Sequence, residues 1–198
     1  MSEKRPDRRV GRTRKVLHDA LISLMLEKDY GSVTIQEIID RANVGRSTFY
    51  THFDDKDDLL MAGLEGLRDM LQTAQRKAVS PALKPYEKVI GFSLAMFEHA
   101  LENRILYQAL IRSQAGAIVL QKIPVIVAGL IRDEAKLEFR RRRTRDSQVP
   151  FDLFVHFIAT SFVSVLSWWL ESDSPLRPKE IDRVFRALVV PSLAANIE

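Results

Sequence analysis

The 198-residue sequence predicts an all-α fold of about nine helices. Apolar residues recur at helical spacing through most of the chain, and no segment alternates in the manner of a half-buried strand. Proline and glycine fall mainly between the periodic segments, which sets the element boundaries.

The first helix is predicted from about Arg12 to Lys28, with Val16, Leu17, Ala20, Leu21, Leu24 and Met25 on one face. Asp29, Gly31 and Ser32 break it. Thr34 followed by Glu37 is a capping box, so a second helix starts at Ile35. Ile35, Ile38, Ile39 and Ala42 form its apolar face, while Gln36, Glu37, Asp40 and Arg41 point away. Asn43 ends it, because asparagine tolerates the left-handed backbone of a helix terminus. Val44 plugs the angle between helices, and Gly45 serves as a modest N-cap for a short third helix to about Thr51. Phe49 and Phe53 anchor that helix from behind, leaving Arg46, Ser47, Thr48, Tyr50 and Thr51 to face outward.

A long helix from Lys56 to about Val79 carries Leu59, Leu60, Gly63, Leu64, Leu67 and Leu71 inward, and Ser80, Pro81 and Pro85 mark its end. Helices follow at about Tyr86–Glu102, Asn103–Ser113, Lys122–Arg143, Phe151–Ser172 and Lys179–Leu193. Gly116, Pro124, Pro150, Pro175 and Pro178 are expected at or between helix ends, and Pro191 closes the last. The helix from Phe151 is apolar nearly all round, more than a monomer's outermost helix can leave in water. It and the final helix, with Ile181, Val184, Phe185, Leu188 and Val189, are the expected dimerisation elements.

The short helix after Gly45 has the side chains that a major-groove reader needs. Ser47 and Thr48 are small enough for close approach to base edges, the Thr48 methyl can touch a thymine methyl, and Arg46 can reach guanine or a phosphate. Tyr50 and His52 are donors suited to the DNA backbone, and Lys56 sits where a helix start already favours phosphate. Charge placement agrees. Residues 1–15 hold seven basic residues (Lys4, Arg5, Arg8, Arg9, Arg12, Arg14, Lys15) against Glu3 and Asp7. Such an arm can follow phosphates or enter the minor groove, and Arg12 and Arg14, which open the first helix, are its strongest candidates. The net charge of +4 points weakly the same way.

Thr34, Ile38, Ala42, Val44, Tyr50, His52, Phe53, Lys56 and Leu59 together resemble the N-terminal signature of the TetR family of bacterial transcriptional regulators. The departures are Ile39 for alanine, Asn43 for glycine and Gly45 for a capping serine. The resemblance implies a helix-turn-helix DNA-binding domain over residues 1–55, with Thr34 at its DNA-facing edge, and a helical ligand-sensing and dimerisation domain over 56–198. It implies a homodimer on double-stranded DNA at an inverted-repeat operator, and by family habit a repressor that lets go on binding a small molecule. The effector pocket is then expected after Tyr86, with Phe92, Met96, Phe97, Tyr107, Phe157 and Trp168 as apolar wall and His99, Gln108 and His156 as polar groups. Such a wall favours a small, largely apolar effector.

Other classes find less support. The chain has no cysteine, no GxSxG and no glycine-rich phosphate loop, and His18, His52, His99 and His156 are too scattered for a metal motif. No enzyme, metal or cofactor is therefore expected. A reducing cytosol suits the cysteine-free composition, and no targeting peptide or membrane-spanning run of about 18 uncharged apolar residues is expected. Arg140–Arg143 with Arg145 reads as a solvated helix end. The alternatives left open are a helical protein-interaction adaptor and a DNA-binding protein that answers to no effector.

Overall fold

A computed structural model describes residues 5–78, 84–111, 114–141, 149–172 and 174–197. Among these there are ten α-helices, one 3₁₀ turn and no strand. The elements are α1 (Arg5–Glu27), the 3₁₀ turn (Tyr30–Ser32), α2 (Ile35–Ala42), α3 (Arg46–His52), α4 (Lys56–Ala78), α5 (Pro85–Val89), α6 (Ser93–Glu102), α7 (Arg104–Ile111), α8 (Gln114–Arg141), α9 (Phe151–Glu171) and α10 (Pro178–Ile197).

The first core forms where α1, α2, α3 and the start of α4 meet. Leu17, Leu21, Ile38, Phe49 and Leu59 are fully buried there, and Phe53 nearly so. Arg41 fastens α2 to α1 through a two-pronged pair with Glu27 at 2.5 and 2.8 Å and a bond to Ser23 at 2.7 Å. The second core is aromatic. Phe162 packs on Phe92, Phe97 and Phe185 with ring centroids 5.0–5.2 Å apart, and Trp169 meets Phe97 edge-on. Edge-to-face geometry adds attraction beyond the buried area.

One polar cluster ties α10 into this body. Ser93 Oγ donates to Asp182 at 2.5 Å, Arg186 Nε donates to the other oxygen of Asp182 at 2.8 Å, and the Arg186 guanidinium also reaches the Ile90 carbonyl at 3.3 Å. The cluster explains a departure from the predicted helix Tyr86–Glu102, which is two helices. The chain leaves helical geometry at Ile90–Phe92, where the Ile90 carbonyl accepts from the Ser93 amide at 3.1 Å and from Arg186.

Two prolines and a glycine expected at helix ends lie inside helices. Gly116 and Pro124 sit within α8 and Pro191 within α10. A proline interrupts one backbone hydrogen bond, and buried residues on both sides hold each helix together across it: Ile123 and Val127 around Pro124, Val189 and Leu193 around Pro191. The helical backbone also begins at Arg5 rather than Arg12. The expectation of no long uncharged run is corrected as well. Between Asp152 and Glu171, α9 has 18 residues without Asp, Glu, Lys or Arg and is by length and hydropathy apolar enough to cross a membrane. In the fold, one face of α9, from Phe154 and Ile158 to Phe162 and Leu166, is core. Pro81 and the side chains of the arginine run at 140–145 lie outside the described residues.

Candidate nucleic-acid interface

The turn between α2 and α3 follows from its local sequence. Thr34 Oγ1 accepts from the Glu37 amide at 3.3 Å, and the Thr34 amide donates to the Glu37 carboxylate at 2.9 Å, which completes the capping box. Lys28, 2.5 Å from Glu37, is the main reason that carboxyl is held down to about 2, with the Thr34 amide and hydroxyl adding to it. The box therefore stays ionised at any pH a cell reaches. Asn43 adopts the left-handed conformation, φ 51° and ψ 50°, and turns the chain so that the Val44 amide donates back to Ile39 at 2.9 Å. The Gly45 carbonyl then accepts from Phe49 at 3.1 Å to open α3.

With Phe49 and Phe53 buried beneath it, α3 turns Arg46, Ser47, Tyr50 and Thr51 to solvent, while Thr48 and His52 are half-buried at its flanks. Thr51 Oγ1 is bonded to the Ser47 carbonyl at 2.8 Å, and the Arg46 guanidinium lies 5.9 Å from the Tyr50 ring. Arg12 and Arg14 are exposed on α1, and Arg14 stands over the Phe53 ring at 4.8 Å, which puts a cation beside the end of α3. Hydroxyl, guanidinium and phenol groups thus share one outward face, on a helix fixed by a buried aromatic pair. Thr34 is exposed at the start of α2, its side chain spent on the cap.

Lys56, expected at the phosphates, is engaged within the protein. Its ammonium donates to the carbonyls of Tyr30 at 2.9 Å, Val33 at 2.9 Å and Gly31 at 3.3 Å, and sits 4.6 Å from the Tyr30 ring. All three donors are committed inside the protein, where they brace the turn before α2. Tyr30 is part of the same brace: its hydroxyl donates to Asp57, and burial together with that carboxylate pushes the phenol well above its usual range. Lys56→Ala is expected to cost the protein about 1.5–3 kcal/mol, as for a lost charged hydrogen-bonding group. The slope of log DNA affinity against log salt should not change. Chemical denaturation and binding at several salt concentrations check both, and a slope lower by about one unit would return Lys56 to the phosphates.

Among the described residues, the nine residues expected around an effector are spread over the core, the surface and one cavity. Phe92, Met96 and Phe97 are fully buried in the aromatic core. Tyr107 is buried too, its phenol pushed up by burial, and Gln108 donates to the Leu170 carbonyl at 2.9 Å. His156, Phe157 and Trp168 point outward from α9, Phe157 and Trp168 being 48% and 54% exposed. Helical phase is the reason: once Phe154, Ile158 and Phe162 face inward, positions 157 and 168 cannot. Of the nine, His99 borders the open cavity that the described residues form between α1, α4, α6 and α7. Sequence reasoning missed that cavity, and its one local signal is the pair Gly63 and Gly66 inside an otherwise strong helix. Among the described residues no three His, Asp or Glu come together to hold a metal.

Comparison with known proteins agrees with this geometry. Residues 17–62 match the family model for bacterial regulatory proteins of the tetR family, and residues 87–190 match a transcriptional regulator C-terminal region. The HTH-type transcriptional regulator YxbF of Bacillus subtilis is 28% identical over 187 residues, 92% of this chain, which spans 46% of that protein's length. The HTH-type transcriptional repressor KstR2 of Mycobacterium tuberculosis is 22% identical over 188 residues, covering 91% of this chain and 92% of that one. In fold, the chain is similar to a TetR-family transcriptional regulator from Syntrophomonas wolfei, with a TM-score of 0.74 at 19% identity over 92% and 95% of the two chains.

Proposed function

The chain belongs to the TetR family of bacterial transcriptional regulators, and from that premise we propose that it is a homodimeric repressor that reads an inverted-repeat operator through α3. The observation that carries the reading is the outward face of α3, where Arg46, Ser47 and Tyr50 stand exposed on a helix anchored by buried Phe49 and Phe53. Residues 1–55 form the DNA-binding unit, residues 56–198 the sensing and dimerisation unit, and α4 connects them. The dimer forms through α9 and α10, whose exposed apolar side chains need covering. Two copies of α3 about 34–36 Å apart then enter successive major grooves, so the operator is palindromic. The repressor sign rests on the name of the relative KstR2. The protein works in the cytoplasm, where its DNA is.

A small effector releases the DNA if it binds the DNA-incompetent arrangement more tightly, and a coupling of about 1–3 kcal/mol suffices. The reading is tested by selecting bound duplexes from a random DNA library at defined salt. An enriched inverted repeat is the expected result. Enrichment of single half-sites would overturn the dimer, and no enrichment would favour the adaptor. On the selected operator, Arg46→Ala and Thr48→Ala are expected to relax base preference at particular positions, each lost contact costing about 1–3 kcal/mol. Binding assays on single-base operator variants give the readout, and uniform weakening across all variants would assign both residues to the phosphates.

A further inference from the structure

The cavity bordered by His99 has a volume of about 440 Å³, within the range of small-molecule sites. It lies at the junction of the two units: α1 forms one side, α4 the floor, and α6 and α7 the opposite side. Two glycines of α4 open that floor. A Cβ at Gly63 would fall 2.0 Å from the His18 ring, so this glycine lets His18 of α1 lie against the α4 backbone. A Cβ at Gly66, one turn on, would meet nothing within 4 Å. Glycine inside a helix is destabilising relative to alanine, and at position 66 the only thing it leaves is room.

The lining divides by chemistry. Ile22, Leu67, Met70 and Leu106 form an apolar wall, and the polar groups are concentrated on α1 and at the α6–α7 corner. Of the charged groups, Lys15 and Asp19 pair with each other at 2.6 Å. Arg14 stacks on Phe53 and has no ion-pair partner among the described residues. Burial is the largest influence on both His18 and His99 and holds them below the usual imidazole range, so at neutral pH they are uncharged hydrogen-bonding groups. Asn103 stands beside His99, its amide bonded to the His99 carbonyl at 2.9 Å.

The geometry points to this junction cavity as the site of an amphipathic organic acid, its carboxylate held by Arg14 with His18 and its apolar body lying over Gly66 against Met70 and Leu106. The inference rests on the regulator reading for its consequence. A ligand here touches α1, the end of α3 and the α6–α7 corner at once, and it occupies Arg14, a candidate DNA contact. Acid binding and operator binding therefore oppose each other.

The test uses the full-length protein and the fluorescent aromatic sulfonate 1-anilinonaphthalene-8-sulfonate as probe. Decanoate, decanol and decylamine compete for it below their micelle concentrations. Decanoate is expected to displace the dye at least tenfold more effectively than the alcohol or the amine. Gly66→Leu, which fills the floor, and Leu106→Trp, which fills the opposite wall, are each expected to weaken decanoate at least tenfold while the far-ultraviolet circular dichroism is kept. Equal displacement by the amine, or unchanged decanoate affinity in whichever variant folds, overturns the site. On the selected operator, saturating decanoate is expected to weaken wild-type binding five- to a hundredfold, and no change overturns the antagonism. If no DNA is selected, the regulator reading fails, and the dye competition alone decides the site.

Discussion

Asp182→Ala is expected to lower the stability of the protein by about 3 kcal/mol, the lower end of the cost of stripping one partner from a buried ion pair. Asp182 is 7% exposed and accepts from both Ser93 and Arg186. Without it, Arg186 keeps only the Ile90 carbonyl at 3.3 Å and the Ser93 hydroxyl at 3.2 Å, and its charge sits against the core with no counter-ion in the cluster. The lower end applies because the Arg186 side chain is 27% exposed and recovers some hydration. For a chain of this size the melting temperature should fall by roughly 6–12 °C. Asp182→Asn, which can still accept from Ser93, should lose about half as much. A fall of under about 2 °C for the alanine variant would mean that burying the cluster costs as much as its bonds return.

Position explains why that cluster is so exposed to a single change. It joins residues some 90 positions apart in sequence and is the polar link between α10 and the α5–α6 corner. It also shows what the sequence could and could not reveal. The capping box at Thr34, the left-handed Asn43 and the start of α3 were legible because each is decided within a window of a few residues. The outward identity of Arg46, Ser47 and Tyr50 was legible for the same reason, since burying Phe49 and Phe53 fixes the phase of a seven-residue helix.

What local sequence did not reveal was non-local. The break at Ile90–Phe92 depends on Arg186 and Ser93 competing for a carbonyl, which no local periodicity records. Lys56 fitted the position of a phosphate ligand, yet the carbonyls it serves lie 23 to 26 residues upstream. The aromatic residues assigned to an effector pocket were divided by helical phase between a solid core and an outer face. Open space lies where α1 and α4 meet α6 and α7, beside Gly63, which was expected on the inner side of its helix, and Gly66, which was not singled out.

Leu188→Glu is expected to have the largest effect on function, because it tests the surface proposed to bring two reading helices together. In α10, Ile181, Phe185, Val189 and Leu193 are buried, while Val184 and Leu188 on the other face are 41% and 63% exposed. On α9 the exposed set is Leu153, Phe157 and Trp168, with Phe157 and Trp168 eleven residues apart, about three helical turns. Five large apolar side chains on two neighbouring helices are more than scattered surface exposure explains, and a second copy of the same face is the cover that a two-fold dimer supplies. In the proposed dimer a carboxylate placed there would be desolvated, a cost of several kcal/mol per ion. The solution mass should fall from twice 22.7 kDa to 22.7 kDa, measured by sedimentation, while the helical signal is retained. Operator affinity should drop about 10²–10⁴-fold, the gain that tethering two half-site binders confers, with the salt slope roughly halved. A variant that stays dimeric would move the interface off Leu188. One that becomes monomeric yet binds the full palindrome as tightly as before would mean that each subunit reads its half-site alone, which would end the two-fold explanation of the operator.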